Sequence, residues 1–301
     1  MSRKDTPSSR RPGAARPGGA STRARVLSAW AAFLAIVAAI WVGLPALIPI
    51  YLIFAGVALF EYSAMLRLRN IRVHRTGLLA ATALHVPVSL PSGHPASLET
   101  LLGMPSREAL ALGFLLIVLT VAIRRPYRDA LETVAFTLLG YLWIPMFFSY
   151  LLTLRTSPEG TLGLGALLLP ALAVVASDVG AYLAGSTLGR RPLSPVLSPD
   201  KTIEGAIGGL ALAALVTPTA AWLLDLGPGS LVSPWLALPF GLAIAAVSQA
   251  GDLFESLVKR RVGVKDAGLF LPGQGGVLDR IDSHLFALPV AYLILSVAGR
   301  L

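Results

Sequence analysis

Between residues 252 and 282 the chain reads DLFESLVKRRVGVKDAGLFLPGQGGVLDRID. Five carboxylates (Asp252, Glu255, Asp266, Asp279, Asp282) and five cations (Lys259, Arg260, Arg261, Lys265, Arg280) fall within these 31 residues. Only 14% of the whole chain is charged, and 55% is hydrophobic. A charge beside or inside a bilayer costs several kcal/mol unless it is paired, hydrated or metal-bound. Ten of them gathered between two apolar stretches therefore mark a built site. Carboxylates interleaved with Lys and Arg suit a divalent metal together with phosphate groups.

Helical spacing sharpens this reading. Asp252, Glu255, Ser256 and Lys259 stand at i, i+3, i+4 and i+7, which is one face. Asp279 and Asp282 share a face at the start of the next apolar stretch. One acid there would simply complement a helix dipole. Two acids facing a second pair across a Gly-rich loop repel unless a cation lies between them. The loop LPGQGG (271–276) supplies turn chemistry, and its backbone N–H groups with the following helix N-terminus could receive an anion.

A second polar stretch, DVGAYLAGSTLGRRPLSPVLSPDKTIEGAIGG, covers 178–209. Asp178, Tyr182 and Gly185 fall on one helical face. Gly180, Ala181, Ala184 and Gly185 allow close helix packing or close substrate approach. Ser198-Pro199-Asp200-Lys201-Thr202 reads as a turn presenting a lysine, and Thr202 can cap the helix that follows. Glu61 is expected to neighbour Arg67 or Arg69. The four histidines (74, 85, 94 and 284) show no metal-ligand spacing.

The elements that must hold these residues are membrane helices. The chain has 301 residues and no cysteine, so disulfides, thiolate metal sites and cysteine catalysis are excluded. Its mean hydropathy of +0.72 indicates an all-α, polytopic membrane protein. Residues 1–25 read as a disordered basic tail. About nine spans of roughly 20 residues are expected, near 26–43, 45–66, 76–92, 108–124, 129–153, 161–185, 203–225, 233–258 and 280–298. The boundary between the first two rests on Gly43–Leu44–Pro45. Residues 26–160 form an N-terminal membrane region and 161–301 a C-terminal region bearing the site.

Alternating the spans puts 22 of the 25 Lys and Arg on one side, leaving Arg107, Arg155 and Arg300 on the other. The positive-inside rule makes the crowded side cytoplasmic, with the N-terminus and the site, and puts the C-terminus outside. The net charge of +9 is thus a topology signal, with no nucleic-acid partner implied.

The motifs resemble those of phosphatidate cytidylyltransferases. The resemblance rests on Ser256-Leu-Val-Lys259-Arg260, Lys265-Asp266, Gly268, Leu271-Pro272, Gly275-Gly276 and Asp279-Arg280-Ile281-Asp282. Ser248-Gln249-Ala-Gly251-Asp252 and Ser198-Pro-Asp-Lys201-Thr202-Ile-Glu204-Gly205 also match. It covers roughly the last 125 residues. It implies an enzyme of the inner or plasma membrane that joins CTP to phosphatidic acid, giving CDP-diacylglycerol and pyrophosphate. It implies Mg²⁺, with room for a second, monovalent cation, and Asp252, Asp279, Asp282 and Asp266 as ligands. Lys201, Lys259, Arg260, Lys265 and Arg280 become contacts to triphosphate or lipid phosphate. Ser198, Thr202, Glu204, Ser256, Gly275 and Gly276 shape the substrate site; a homodimer is left open.

Two positions depart from the family pattern. Gln274 stands where His is usual, and Val179 where Ser or Thr is usual. Gln hydrogen-bonds but does not exchange protons near neutral pH, so it can orient a phosphate or base but cannot act as acid or base. Rival classes fit less well. The DGxxAR and DDxxD runs of other membrane transferases are absent, and a transporter would carry its charges mid-span within internal repeats.

Overall fold

Long apolar runs with few interruptions leave the backbone one way to satisfy its hydrogen bonds in a bilayer, and that is helix. The structure, a computed structural model, describes residues 38–91, 93–103, 111, 114–115, 117–119, 121–123, 127–156, 161–223, 233–268 and 275–300. The first three helices are α1 (Leu44–Arg67), α2 (Arg75–Val88) and α3 (Leu98–Leu102). Next comes α4 (Tyr127–Tyr141), which passes through a π turn (Leu142–Met146) into α5 (Phe147–Thr156). After α6 (Thr161–Leu188) a two-stranded antiparallel hairpin follows, β1 (Pro192–Ser194) and β2 (Ser198–Thr202). The chain ends in α7 (Ile203–Leu223), α8 (Pro234–Val262) and α9 (Leu278–Val297).

Six helical stretches among the described residues are long and apolar enough to cross a membrane: α1, the α4–α5 run, α6, α7, α8 and α9. The all-α membrane architecture is therefore present, while the count of nine is not reproduced. The expected span at 26–43 lies largely, and that at 108–124 in part, outside the described residues. The expected span at 76–92 is instead the 14-residue α2. At 1.5 Å per residue it reaches about 21 Å, short of a hydrocarbon core of about 30 Å. Pro87 in its last turn and Pro91 beyond it prevent further extension. The break ahead of α1 falls where Gly43–Leu44–Pro45 places it: Gly43 adopts φ +85°, which a side chain would resist.

Pro145 explains the π turn. Proline lacks an N–H and its ring crowds the carbonyl one turn back, so the helix widens there instead of breaking. Around this turn a row of rings joins α1, α8 and α9. Tyr62 meets Trp143 edge-on at 6.0 Å, Trp143 meets Phe254 at 5.0 Å, and Phe254 meets Phe286 at 5.4 Å. The apolar core runs through this row from Ala39 to Leu295, across the division near residue 160.

Helices α6 and α7 touch through glycine. A Cβ on Gly180 would lie 2.8 Å from Leu212 Cβ, and one on Gly205 would lie 2.9 Å from the Ala181 carbonyl oxygen. The small residues of 178–209 thus serve close helix packing, as their spacing suggests. Arg69, just after α1, donates through Nε to the Val262 carbonyl at 3.3 Å, so α1 and α8 finish at the same end of the bundle. The hairpin and the start of α9 lie at that end as well.

Gly180→Val should lower stability by about 2 kcal/mol through overpacking. Gly56→Ala, at a helical glycine with nothing within 4 Å, should be neutral or slightly stabilising. Thermal unfolding of the two variants in detergent checks the contrast.

Candidate active site

Helix α8 carries Asp252, Glu255 and Lys259 along one face, and α9 brings Asp282 against them. One carboxylate oxygen each from Asp252, Glu255 and Asp282 lie within 4.8 Å of one another. Glu255 is wholly buried, Asp282 nearly so, and Asp252 is half-buried. Glu255 Oε1 is buried without any hydrogen-bond donor. Three carboxylates this close repel one another strongly in a poorly solvated setting. A buried oxygen without a partner, on one of three acids this close together, is what a hard cation would complete, and oxygen ligands of this kind suit Mg²⁺.

Two lysines border the group. Lys201, presented by β2, forms an ion pair with Asp252. Lys259 lies between Glu255 Oε2 at 3.1 Å and Asp279 Oδ1 at 2.7 Å. The lysine turn read in 198–202 and the acidic stretch of 252–282 therefore meet in space. Arg260 reinforces the junction by donating through Nε to the Leu197 carbonyl at 3.2 Å. Gln249 ties three helices together, donating at 3.1 Å both to Ser177 Oγ on α6 and to the Ala206 carbonyl on α7.

A cavity of about 450 Å³ opens beside this junction. Asp178, Tyr182 and Gly185 line it from α6, Lys201 and Thr202 from β2, and Asp252 from α8. The shared face read for the first three is confirmed. Thr202 Oγ1 accepts from Gly205 N at 3.1 Å and so caps α7. Glu204 accepts from Arg190 N at 3.0 Å and Arg191 N at 3.2 Å, closing the base of the hairpin. Ser198 opens β2, and Ser256 is buried on α8 one turn beyond Asp252. Val179 lies exposed on α6, outside the cavity lining. Lys265, Asp266 and Arg280 are exposed at the same end. Gln274 lies outside the described residues.

Two expectations change. Asp279 does not join the three-carboxylate group. Its oxygens accept from Lys259, from Ala267 N at 3.0 and 3.2 Å, and from Gly276 N at 2.7 Å. It therefore fastens the loop ahead of α9. The N–H groups of Gly276, Val277 and Leu278 at that helix start are taken by the protein's own acids, while residues 271–274 of the Gly-rich loop lie outside the described residues.

The second of those acids is Glu61. It does not pair with Arg67 or Arg69. From α1 it crosses to the start of α9 and accepts from Val277 N at 3.0 Å and Leu278 N at 2.8 Å. A Cβ on Gly276 would lie 2.7 Å from Glu61 Oε2, so glycine is needed for the carboxylate to reach the backbone. Sequence reasoning missed this role because helix caps are sought within a few residues, whereas this one lies 216 residues away. The available signal was an acid near the end of an otherwise apolar span.

Glu61→Ala should cost about 3 kcal/mol or more, since two buried amides lose a charged acceptor. Glu61→Gln keeps one acceptor and should lose about half as much. Thermal unfolding, together with amide exchange at Leu278, checks both.

Comparison with known proteins places the chain in a family. The profile of the cytidylyltransferase family matches residues 23–298. A phosphatidate cytidylyltransferase of Staphylococcus haemolyticus is 33% identical over 273 residues, covering 91% of this chain and 98% of the relative. One of Staphylococcus aureus is 34% identical over 248 residues, covering 82% of this chain and 90% of the relative. One of Staphylococcus epidermidis is 36% identical over 221 residues, covering 73% and 78%. With a match that takes in both the N-terminal helices and the acidic junction, the chain belongs to the cytidylyltransferase family.

Proposed function

We propose that this protein is an integral-membrane phosphatidate cytidylyltransferase, transferring the cytidylyl group of CTP to phosphatidic acid with release of pyrophosphate. The observation that carries the reading is the buried group Asp252, Glu255 and Asp282, which opens through Asp252 onto the cavity that Lys201 lines. In the reaction a phosphate monoester oxygen of the lipid forms a bond to the α-phosphorus of CTP. The bond from that phosphorus to the bridging oxygen breaks, and the electron pair leaves on pyrophosphate. Both reactants are polyanions, so neutralising and positioning them supplies most of the catalysis.

The residues divide this work. Lys201 is paired with Asp252 at the cavity wall and is placed to exchange that partner for a triphosphate oxygen. Lys259 holds Glu255 and Asp279 in place from within the junction, so its role is positioning. Lys265 and Arg280, exposed at the same end, are the candidates for lipid phosphate. A phosphate monoester is already largely ionised near neutral pH, so no general base is required. Asp252, Glu255 and Asp282 would hold Mg²⁺, the undonated Glu255 oxygen being the feature that fits it. When bound, the ion offsets the charge of the three acids and draws electron density from the nucleotide phosphates. The positive-inside rule puts this end of the bundle in the cytoplasm, where CTP is available, while the bilayer supplies the lipid.

Full-length protein supplied with CTP, short-chain phosphatidate and Mg²⁺ should release pyrophosphate, and chelation should stop it. Asp282→Asn should lower kcat on the order of a hundredfold or more while the unfolding transition is kept. Wild-type turnover in that variant at every Mg²⁺ concentration would refute the ligand set. Gln274→His should be tolerated or activating; a large loss would mean that the amide itself makes a contact the reaction needs.

A further inference from the structure

On the far side of α1 from Glu61, where α1 turns into α2, a second cavity of about 550 Å³ is lined by Arg67, Arg72 and Arg75 together with Ser63, Asn70 and His74. No carboxylate lines it. Among the described residues, none of the three arginines takes part in an ion pair. The turn that gathers them depends on Asn70 adopting φ +60°, a conformation uncommon outside glycine and most tolerated by Asn and Asp. Partial burial, and after it the charge of Arg67, push the Arg75 guanidinium below its ordinary value. Like charges thus face one another across a concave space.

What adjoins the cavity indicates what fills it. Ile53, Gly56, Phe60, Ser63 and Arg67 follow one another at helical spacing along a single stripe of α1. Ile53 and Phe60 are 61% and 64% exposed, and Gly56 leaves a gap with nothing within 4 Å. Arg75 stacks over the Phe60 ring, 5.5 Å from its centroid, where the apolar stripe meets the basic cavity. A grooved apolar track ending in three guanidiniums matches one kind of molecule, an acyl chain bearing an anionic phosphate.

We infer that the α1–α2 turn is a binding site for the phosphate headgroup of an anionic phospholipid, separate from the reaction site, with one acyl chain lying along Ile53, Gly56 and Phe60. The site needs no turnover, so it stands whether or not the reaction is as proposed above. Its guanidiniums clasp the phosphate, and its groove selects a lipid over free phosphate.

The test is native mass spectrometry of the full chain in detergent with dioctanoyl-phosphatidylglycerol, which is not a substrate of the proposed reaction. The wild type should hold one saturable lipid that R67Q/R72Q/R75Q binds at least tenfold more weakly. Dioctanoyl-phosphatidylcholine should bind the two proteins alike. If the triple variant fails to fold, Arg67→Gln alone, at an exposed helix end, should still weaken binding severalfold. Equal phosphatidylglycerol binding by the folded variant and the wild type overturns the site. Displacement of the lipid by millimolar inorganic phosphate overturns the lipid assignment and makes this a free-phosphate site.

Discussion

Negative charge concentrated where little water reaches is the constraint on which this protein is organised. Asp252, Glu255 and Asp282 stand together at the α8–α9 junction, with Asp279 one turn from Asp282. Without compensation the two helices would be driven apart. Lys259 bridges Glu255 to Asp279 from inside the junction, and Lys201 reaches in from the hairpin to Asp252. Four backbone N–H groups take up what remains: those of Ala267 and Gly276 donate to Asp279, and those of Val277 and Leu278 donate to Glu61. Breaking one partner of such a network costs more than the network itself contributes, because a buried charge is left uncompensated.

The supporting architecture follows from that demand. Helices α6 and α7 come close enough, through Gly180 and Gly205, to hold the hairpin over α8. Gln249 fixes the same three helices by spanning Ser177 and the Ala206 carbonyl. Beneath the acids the rings of Trp143, Phe254 and Phe286 give a rigid apolar floor. The polar groups above it therefore have little room to rearrange. The paired Lys201 and Asp252 line the open cavity, where a nucleotide can compete for them.

Much of this was legible in the residues. Heptad spacing placed Asp252, Glu255 and Lys259 on one face, and small residues at 180–185 announced close packing. The charge asymmetry puts the cations around Lys201 and around Lys259–Arg261 on one side, and Lys201 and Arg260 do lie at one end of the bundle. What could not be read was long-range pairing. Nothing local distinguishes Asp279, which serves the loop, from Asp282, which serves the acidic group; three residues of helix turn decide it. Glu61 was assigned to nearby arginines because sequence proximity is a poor guide when an acceptor finds its donors across a bundle. Over 76–92 the helix is shorter than the apolar run for a different reason: average hydropathy does not register that Pro87 and Pro91 end it at Val88.

The reach of Glu61 to Val277 and Leu278 bears on how the chain is made. The acid enters the membrane with α1, and its donors are synthesised 216 residues later. At about 5–20 residues per second this is a wait of about 10–40 seconds. Throughout that interval Glu61 is without the two backbone donors it holds in the folded bundle. Docking of α9 thus brings the two donors to Glu61, and a chain cut ahead of Val277 leaves that carboxylate without them.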